Sequence, residues 1–342
     1  MKKIKLIIPV LVLGLVVISC TESDDQGSGE PLPNTVFANV YATSNLNNSI
    51  AAFDFTANGI QLRQFSTSSD DNEGIFYNKE ANELVVNSRA QSTINTYSDI
   101  DETASGSSLS LFLSSDTVLE SPRDIAVKDN FYIVSDNADV DGNPDTPDGR
   151  FFIFTRDNSG YTLRNIVTVD YAVWGIQLIG NDLYSVVDKT GDVAVLKNFI
   201  ITYTTDVTAT PDKQITIGGI TRTHGITEDE GFVILTDIGD ATNESDGGFQ
   251  FINNFVSKFD ATPNGGTLEL AGNQVRVSGS LTGLGNPVSV AYVRADNSVF
   301  IAERASDGGK ILFFYNVGAG GNLVPDLSTP FPGASSLYYI NR

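Results

Sequence analysis

Four oxygen-bearing side chains alternate along one acidic segment of the chain. They are Asp139, Asp141, Asn143 and Asp145, with Gly142 placed for a turn. Calcium takes six to eight oxygen ligands, often from Asp and Asn residues two positions apart on a turning loop. We therefore predict a calcium site here, although the glutamate that completes an EF-hand loop is missing. The alternative is a solvated acidic turn, and both interpretations also apply to residues 237–248.

A second set of candidates stands just before short apolar runs that recur along the chain. Its members all differ: Glu73, Asp124, Trp174, His224 and Ser289. Trp174 and His224 are the only tryptophan and the only histidine. Concave binding sites combine a few convergent polar groups with apolar and aromatic walls, so these five residues are a candidate binding site at the mouth of a central channel if the fold gathers them. The alternative is that His224 is a loop residue and Trp174 fills a gap between packed elements.

Hydrolysis by a catalytic triad is disfavoured. A triad needs a nucleophile beside a histidine that an acid orients. The chain has one histidine, its single cysteine is Cys20 near the N-terminus, and the nucleophile-elbow motif is absent from the sequence.

The apolar runs belong to a block of roughly fifty residues. Their anchors, spaced 50, 51, 50, 64 and 47 residues apart, are Ile75, Ile125, Ile176, Ile226, Val290 and Leu337. A period in this range indicates a stacked or ring-like repeat fold. Each block continues with β-branched and aromatic strands bounded by Asn, Asp and Gly.

Inside the blocks, the second strand ends on or near a polar residue. These residues are Asn87, Asp136, Asp188, Asp237 and Glu303, and the third strands are predicted at 94–97, 151–154, 193–196, 255–259 and 311–315. Because Asp side chains accept hydrogen bonds from amides two residues on, we interpret the recurrent acids as turn caps. Four short strands per block, without a convincing amphipathic helix, predict the blades of a β-propeller.

The two ends of the chain are predicted to share one blade. Residues 336–340 match a first strand with nothing after it, and residues 36–41 and 49–55 match later strands with no first strand before them. Joined, they remove the exposed sheet edge of an open ring. The prediction is an all-β, six-bladed propeller with four-stranded blades over residues 36–342. The 64-residue interval leaves seven blades open.

The blocks resemble the NHL and YVTN type of propeller repeat. The resemblance is carried by Pro122–Val127, Tyr132–Asp136, Arg150–Phe154 and residues 286–315. It implies a fold rather than an activity, because such propellers include lactonases, sugar-binding modules and interaction scaffolds.

Glu73 and Gly74 also resemble the acidic strand entry of gluconolactonase-like propellers. That resemblance implies a channel-bound calcium, held in part by Asn72, Glu73 and Asp124. The blades entered by Trp174 and Ser289 depart from the pattern.

Residues 1–19 match an export signal. Three lysines precede an apolar stretch, residues 6–18, that is shorter than the roughly 20 residues of a spanning helix. Residues 17–20 resemble a bacterial lipobox, which implies cleavage before Cys20 and a diacylglyceryl anchor on its sulfur. Residues 20–35 then match an acidic flexible tether, and its first residues resemble the surface-export signal of Bacteroidota lipoproteins. The expected location is the outer membrane, facing the exterior.

Charge narrows the possible partners. Three of the 21 basic residues lie in the signal, so 18 remain against 42 acids, a net charge near −24. Nucleic-acid binding needs clustered basic residues, so no nucleic-acid partner is expected. The leading hypothesis is a lipid-anchored, non-catalytic binding or scaffold module for a protein partner or a glycan, such as an accessory subunit of an outer-membrane complex. The alternative is a calcium-dependent, lactonase-like hydrolase.

Overall fold

The computed structural model describes residues 36–56, 58–305 and 308–342. Cys20, the signal and the tether lie outside the described residues. Within the described ranges the strands form six separate sheets. Each sheet is one blade of a β-propeller, which confirms the predicted fold class and the count of six blades.

Blades are numbered from the N-terminus. Blade 1 contains β1 (Val36–Ser44), β2 (Ser49–Thr56) and β3 (Gly59–Ser66). Blade 2 contains β4 (Asn72–Asn78), β5 (Glu83–Ser88), β6 (Thr93–Ser98) and β7 (Ser110–Ser114). Blade 3 contains β8 (Pro122–Lys128), β9 (Phe131–Asp136), β10 (Gly149–Asp157) and β11 (Gly160–Val169).

The remaining blades carry short additions. The chain segment of blade 4 contains β12 (Val173–Ile179), β13 (Asp182–Val187), β14 (Asp192–Leu196), the helix α1 (Phe199–Thr202), β15 (Val207–Ala209) and β16 (Lys213–Ile217). The chain segment of blade 5 contains β17 (Ile226–Asp229), β18 (Phe232–Asp237), β19 (Gly248–Ile252), α2 (Phe255–Ala261), β20 (Thr267–Leu268) and β21 (Val275–Ser278). Blade 6 contains β22 (Pro287–Val293), β23 (Ser298–Glu303), β24 (Lys310–Phe314) and β25 (Leu327–Pro330).

Two of these additions extend the sheet of the preceding blade. The short strand β15 pairs in parallel with β11, and β20 pairs in parallel with β16. Blades 3 and 4 therefore have five strands, and the other four blades have the predicted four.

Both termini close the ring. The last strand, β26 (Ala334–Asn341), pairs antiparallel with β1, with Leu337 opposite Ala42. The C-terminal residue secures this closure, because the Arg342 guanidinium donates to Asp101 and to the Tyr41 hydroxyl, 2.6 and 2.9 Å away. It also lies over the Tyr77 ring, 4.9 Å from the centroid. These contacts join blade 1 to blade 2.

The apolar core is divided among the junctions between blades. Six buried clusters are present in the described residues, one for each pair of neighbouring blades. Side chains of a strand alternate between the two faces of its sheet, so each blade packs on both of its neighbours. This packing explains why the apolar positions of the repeat sit two residues apart.

The predicted third strand at 255–259 is wrong. Gly248–Ile252 is the third strand of blade 5, and Phe255–Ala261 forms α2. Phe255 and Phe259 are four residues apart, so they share one helical face, and both are buried in the junction with blade 4. The segment with α2 and β20, together with the loop before β19, accounts for the long fourth interval. Across the described part of the chain, helices are too short or too polar to span a membrane.

Candidate functional site

The six anchors define one level of the central channel. All are buried, and all line a central cavity. Two residues before each anchor stand six side chains that we call the entry layer: Glu73, Arg123, Trp174, His224, Val288 and Ser335. These positions lie where the first strand of each blade begins.

Neighbouring blades connect the entry layer through side-chain contacts. Glu73 Oε1 lies 3.5 Å from Arg123 Nη1, and the Arg123 guanidinium lies over the Trp174 ring, 4.2 Å from its centroid. Trp174 stacks on His224 with ring centroids 3.7 Å apart. On the other side, the Ser335 hydroxyl donates to the Glu73 carboxylate. Five of the six members therefore form one continuous chain of contacts around the channel axis.

The structure divides the five predicted mouth residues between two levels. Glu73, Trp174 and His224 belong to the entry layer, whereas Asp124 and Ser289 come one residue later, next to their anchors. Sequence reasoning missed Arg123, which stands between Glu73 and Trp174 in the ring. Counting back a fixed two residues from every anchor would have found Arg123, because the first strand of each of these blades pairs with the second strand in the same register around its anchor.

Asp124 and Ser289 link neighbouring blades. The Asp124 carboxylate accepts hydrogen bonds from the amides of Ile176 and Ile125, at 2.9 and 2.8 Å. The Ser289 hydroxyl accepts one from the amide of Leu337 at 3.1 Å. Burial raises the pKa of Asp124 to about 6, although the two amides oppose this. Each side chain thus bonds the anchor amide of the next blade.

His224 is a buried, neutral imidazole at pH 7. Its Nε2 donates to Asp188 Oδ1 at 2.9 Å, and Arg222 Nε donates to the same oxygen at 2.8 Å. Burial lowers the pKa of His224 to about 4, and the bond to Asp188 offsets this only in part. Burial also acts to raise the pKa of Asp188, but His224 and Arg222 outweigh it and lower that pKa to about 2.

The interpretation of the recurrent acids as turn caps is confirmed for Asp136 and Asp237. Asp136 accepts hydrogen bonds from the amides of residues 120, 121 and 138, at 2.7, 2.9 and 3.1 Å. Asp237 accepts them from residues 221, 222 and 239, at 3.0, 3.1 and 3.1 Å. Asp188 differs, because it lies one position further along its blade and pairs mainly with His224 and Arg222. Asp136 and Asp237, which recur at the same position of their blades, are thus structural.

The channel cavity, of about 790 Å³, lies on the other side of the anchors. Its lining starts at Asp124 and Ser289, continues past the anchors to the far ends of the first strands, and includes no member of the entry layer. The cavity opens at that far end, where the exposed residues Glu230, Arg294 and Asn341 lie. The entry layer therefore forms the floor of the channel rather than its mouth.

The walls of this cavity combine aromatic and polar groups. The aromatic residues are Phe76, Tyr292, Tyr338 and Tyr339, and the polar ones include Gln177, Glu228, Asp229 and Glu230. Phe76 and Tyr338 meet edge to face, 5.2 Å apart. Burial raises the pKa of Tyr338 to about 12, so its hydroxyl is neutral and can donate a hydrogen bond. Sequence reasoning placed none of these residues in the site.

The residues implied as calcium ligands in the channel do not fit a divalent cation. Arg89 Nη1 and Arg123 Nη1 both lie 3.5 Å from Glu73 Oε1, so guanidinium groups already neutralise that carboxylate. Asn72 offers one oxygen, because its Oδ1 has no hydrogen-bond partner among the described residues, but both Asp124 oxygens already accept backbone amides. Hard cations need several free oxygen ligands in one place, and Asn72, Glu73 and Asp124 supply only that one.

The acidic loop between β9 and β10 gathers a different set from the predicted one. Oxygens of Asp139, Asp141 and Asp148 lie within 4.8 Å of one another. Asp145 stays outside this group of carboxylates, and the Asn143 side chain accepts a hydrogen bond from the Asp145 amide at 3.2 Å. Spacing along the sequence could not indicate Asp148, because it approaches from the returning side of the loop. The three clustered carboxylates have the oxygen chemistry that calcium requires.

Comparison with known proteins supports the fold class. No protein-family model and no curated protein sequence matches the chain. A chain of the nidogen–laminin complex matches with a TM-score of 0.57 and 10% identity, over 88% of this chain and 98% of that one. A candidate 6-phosphogluconolactonase from Bacteroides fragilis matches with a TM-score of 0.57 and 10% identity, over 91% and 100%. At this identity the likeness shows the propeller fold alone.

Proposed function

We propose that the chain is a non-catalytic binding module. The observation that carries this proposal is that both acids expected near the channel axis are already bound. Glu73 is held by Arg89, Arg123 and Ser335, and Asp124 is held by two backbone amides. A general acid or base must reach the proton that it transfers, and neither carboxylate is free to do so.

The channel cavity is the proposed ligand site. Pockets for small ligands have volumes of roughly 300 to 1,000 Å³ and combine apolar walls with a few polar groups, and this cavity of about 790 Å³ has both. Aromatic faces beside amide and carboxylate groups suit the end of a glycan or a side chain of a protein partner. An accessory subunit of an outer-membrane complex would use the cavity in this way.

Substitution of the cavity wall tests this proposal. Tyr339→Ala removes an aromatic group from the lining, whereas Tyr315→Ala removes a half-exposed tyrosine outside it. Glycan arrays and pull-downs from intact outer membranes should show at least about tenfold weaker capture for Tyr339→Ala and no change for Tyr315→Ala. Equal capture by both variants would place the docking surface elsewhere.

The same pull-down shows which end of the channel binds the partner. A Trp174→Ala, His224→Ala double variant alters the floor but not the cavity lining. We expect it to capture partners as the wild type does, provided that circular dichroism shows it folded. Loss of capture in this variant alone would move the proposed site to the entry layer.

The alternative function is a calcium-dependent, lactonase-like hydrolase. The fold match to a candidate 6-phosphogluconolactonase favours it, and the bound state of Glu73 opposes it. Turnover of gluconolactone and 6-phosphogluconolactone, with calcium and with chelator, decides between the two. Calcium-dependent turnover that Glu73→Gln abolishes would establish the hydrolase, whereas absence of turnover and of calcium uptake would remove it.

The proposed location is the outer surface of the outer membrane, with the propeller anchored by lipid on Cys20. This proposal rests on the signal and lipobox pattern, which lies outside the described residues. Fatty-acid labelling of the wild type and of Cys20→Ala, followed by protease treatment of whole cells, tests both parts. Labelling that depends on Cys20 and cleavage in intact cells are expected. An unlabelled or protected protein would contradict the proposal.

A further inference from the structure

Arginine side chains gather at the entry end of the channel, in a chain whose net charge is −21. Arg123 belongs to the entry layer, and Arg89 and Arg304 directly follow the second strands of blades 2 and 6. Burial, together with the charges of Arg89 and Arg304, lowers the pKa of Arg123 to about 10 against the opposing effect of Glu73. The three guanidinium groups therefore lie close enough to interact electrostatically.

Two of these guanidinium groups have donors that are unused within the described part of the chain. Arg89 Nη1 lies 3.5 Å from carboxylate oxygens of both Asp71 and Glu73, and its buried Nε has no partner there. Arg304 Nη1 and Nη2 reach only the side-chain oxygen of Asn45, at 3.1 and 2.8 Å, in the amide orientation that satisfies Asn45. A guanidinium carries five N–H donors; because Arg89 Nε is buried, the terminal Nη groups of the two arginines are the donors that a ligand could reach.

The position of Asn45 brings the two arginines to one place. In blade 1 the first strand is β26 and the second is β1. Asn45 directly follows β1, at the position that Arg89 and Arg304 occupy in blades 2 and 6, as the strand registers show. Blade 1 lies between those two blades, so the arginines flank Asn45 on either side. We infer that Arg89 and Arg304 form a binding site for an oxyanion beside Asn45. The oxyanion is either a carboxylate or a phosphate group. Planar guanidinium groups bind such oxyanions with paired hydrogen bonds.

The surrounding charge restricts the size of the ligand. The loops between β9 and β10 and between β18 and β19 lie on the same end of the propeller, because both follow second strands. They carry the exposed acids Asp139, Asp141, Asp240 and Asp246. These acids repel a polyanion that approaches this end of the propeller, whereas a small ligand with one acidic group can reach the two arginines. The expected ligand is therefore a small molecule with a single oxyanion.

This site lies at the end of the channel opposite to the cavity mouth. The inference therefore goes beyond the proposed function, and either can fail without the other. Trp174 offers a direct readout, because it is the only tryptophan and contacts Arg123, whose charge is coupled to both arginines.

The experiment titrates the full chain with inorganic phosphate and, separately, with acetate, against sodium chloride of equal ionic strength. Trp174 fluorescence and isothermal calorimetry measure binding. At least one oxyanion should bind saturably, and the comparison of the two identifies the preferred chemistry. Arg89→Gln and Arg304→Gln should each weaken binding at least about tenfold. Arg304→Lys, which keeps the charge but loses the planar fork, should weaken it as well.

Arg164→Gln is the matched control. Arg164 donates to the carbonyls of residues 200 and 203, away from the entry end, so this variant should bind like the wild type. Thermal melts identify the variants that fold. If a glutamine variant does not fold, the charge-conserving Arg304→Lys still tests the inference. Absence of saturable binding beyond chloride, or wild-type affinity in the Arg89 and Arg304 variants, would overturn the inference.

Discussion

The imidazole of His224 lies parallel to the indole of Trp174, with ring centroids 3.7 Å apart and an interplanar angle of 6°. The Arg123 guanidinium lies 4.2 Å from the centroid of the same indole. Two groups this close to one ring cannot share a face, so Trp174 is covered on both sides. It therefore cannot stack on a sugar, and its role is to join blades 3, 4 and 5 around the channel axis.

The pH dependence of stability should reveal the buried state of His224. Its folded pKa is about 4, below the ordinary value of 6.5. Between these values the unfolded chain binds a proton that the folded chain does not. The stabilisation from the neutral ring is thus complete above about pH 6.5 and lost as the pH falls toward 4.

His224→Gln provides the comparison for that prediction. Urea unfolding from pH 4 to 8 should show a steeper loss of stability below pH 6.5 for the wild type than for the variant. Titrating groups that do not contact His224, including Asp124, are present in both proteins and largely cancel in the difference. Since His224 is the only histidine, nuclear magnetic resonance can follow its ring directly. An imidazole that titrates near pH 6.5 would contradict the prediction.

Gly175 should not tolerate a side chain. A methyl group there would lie 2.3 Å from the carbonyl oxygen of His224, and the Gly175 amide donates to that same oxygen at 3.0 Å. Gly175→Ala must separate blades 4 and 5 at the entry layer, so we expect a loss of about 2 kcal/mol or more in the free energy of unfolding. Ser336→Ala, at the equivalent position of blade 1, should cost less than about 1 kcal/mol. Similar costs for the two variants would refute the close approach.

Arg342 should stabilise the closure of the ring. Arg342→Ala removes donors to Asp101 and Tyr41 and the contact over the Tyr77 ring. Hydrogen bonds to charged groups contribute about 1.5 to 3 kcal/mol when shielded, and less when exposed. We expect a loss of roughly 2 kcal/mol in chemical unfolding. Lys197→Ala, an exposed substitution, should stay within about 0.5 kcal/mol, and an equal effect of both would refute the role of Arg342.

Calcium should act through the carboxylates that the loop gathers. If Asp139, Asp141 and Asp148 hold the ion, calcium raises the Tm of the wild type, and EDTA reverses the rise. Asp148→Asn should abolish that response, whereas Asp145→Asn, which alters a residue outside the cluster, should keep most of it. The opposite ranking would favour the ligand set predicted from spacing. No response in the wild type would make the segment a solvated turn.

Some structural details could be predicted from sequence because they are local. Alternating apolar residues and polar turns determine each strand, and Asp136 and Asp237 cap turns through amides close to them in sequence or in the preceding connection. The error at residues 255–259 has a local cause as well. An aromatic pair four residues apart suits a helix, but the expectation of a third strand in that block outweighed this signal.

By itself, the sequence determined the repeat and its closure by both termini, because the anchor spacing and the incomplete end blocks indicate a ring. It favoured six blades, but the 64-residue interval left seven open, and the six sheets of the structure decided the count. Only the tertiary structure decided what the differing residues do. Placing the blades side by side brings Glu73, Arg123, Trp174 and His224, which are about fifty residues apart in the chain, into direct contact. The same packing makes these four residues the channel floor, with Glu73 and His224 buried and Arg123 and Trp174 partly buried, and leaves the cavity open at the opposite end. Contacts between blades follow from the closure of the ring, and no spacing within one blade encodes them.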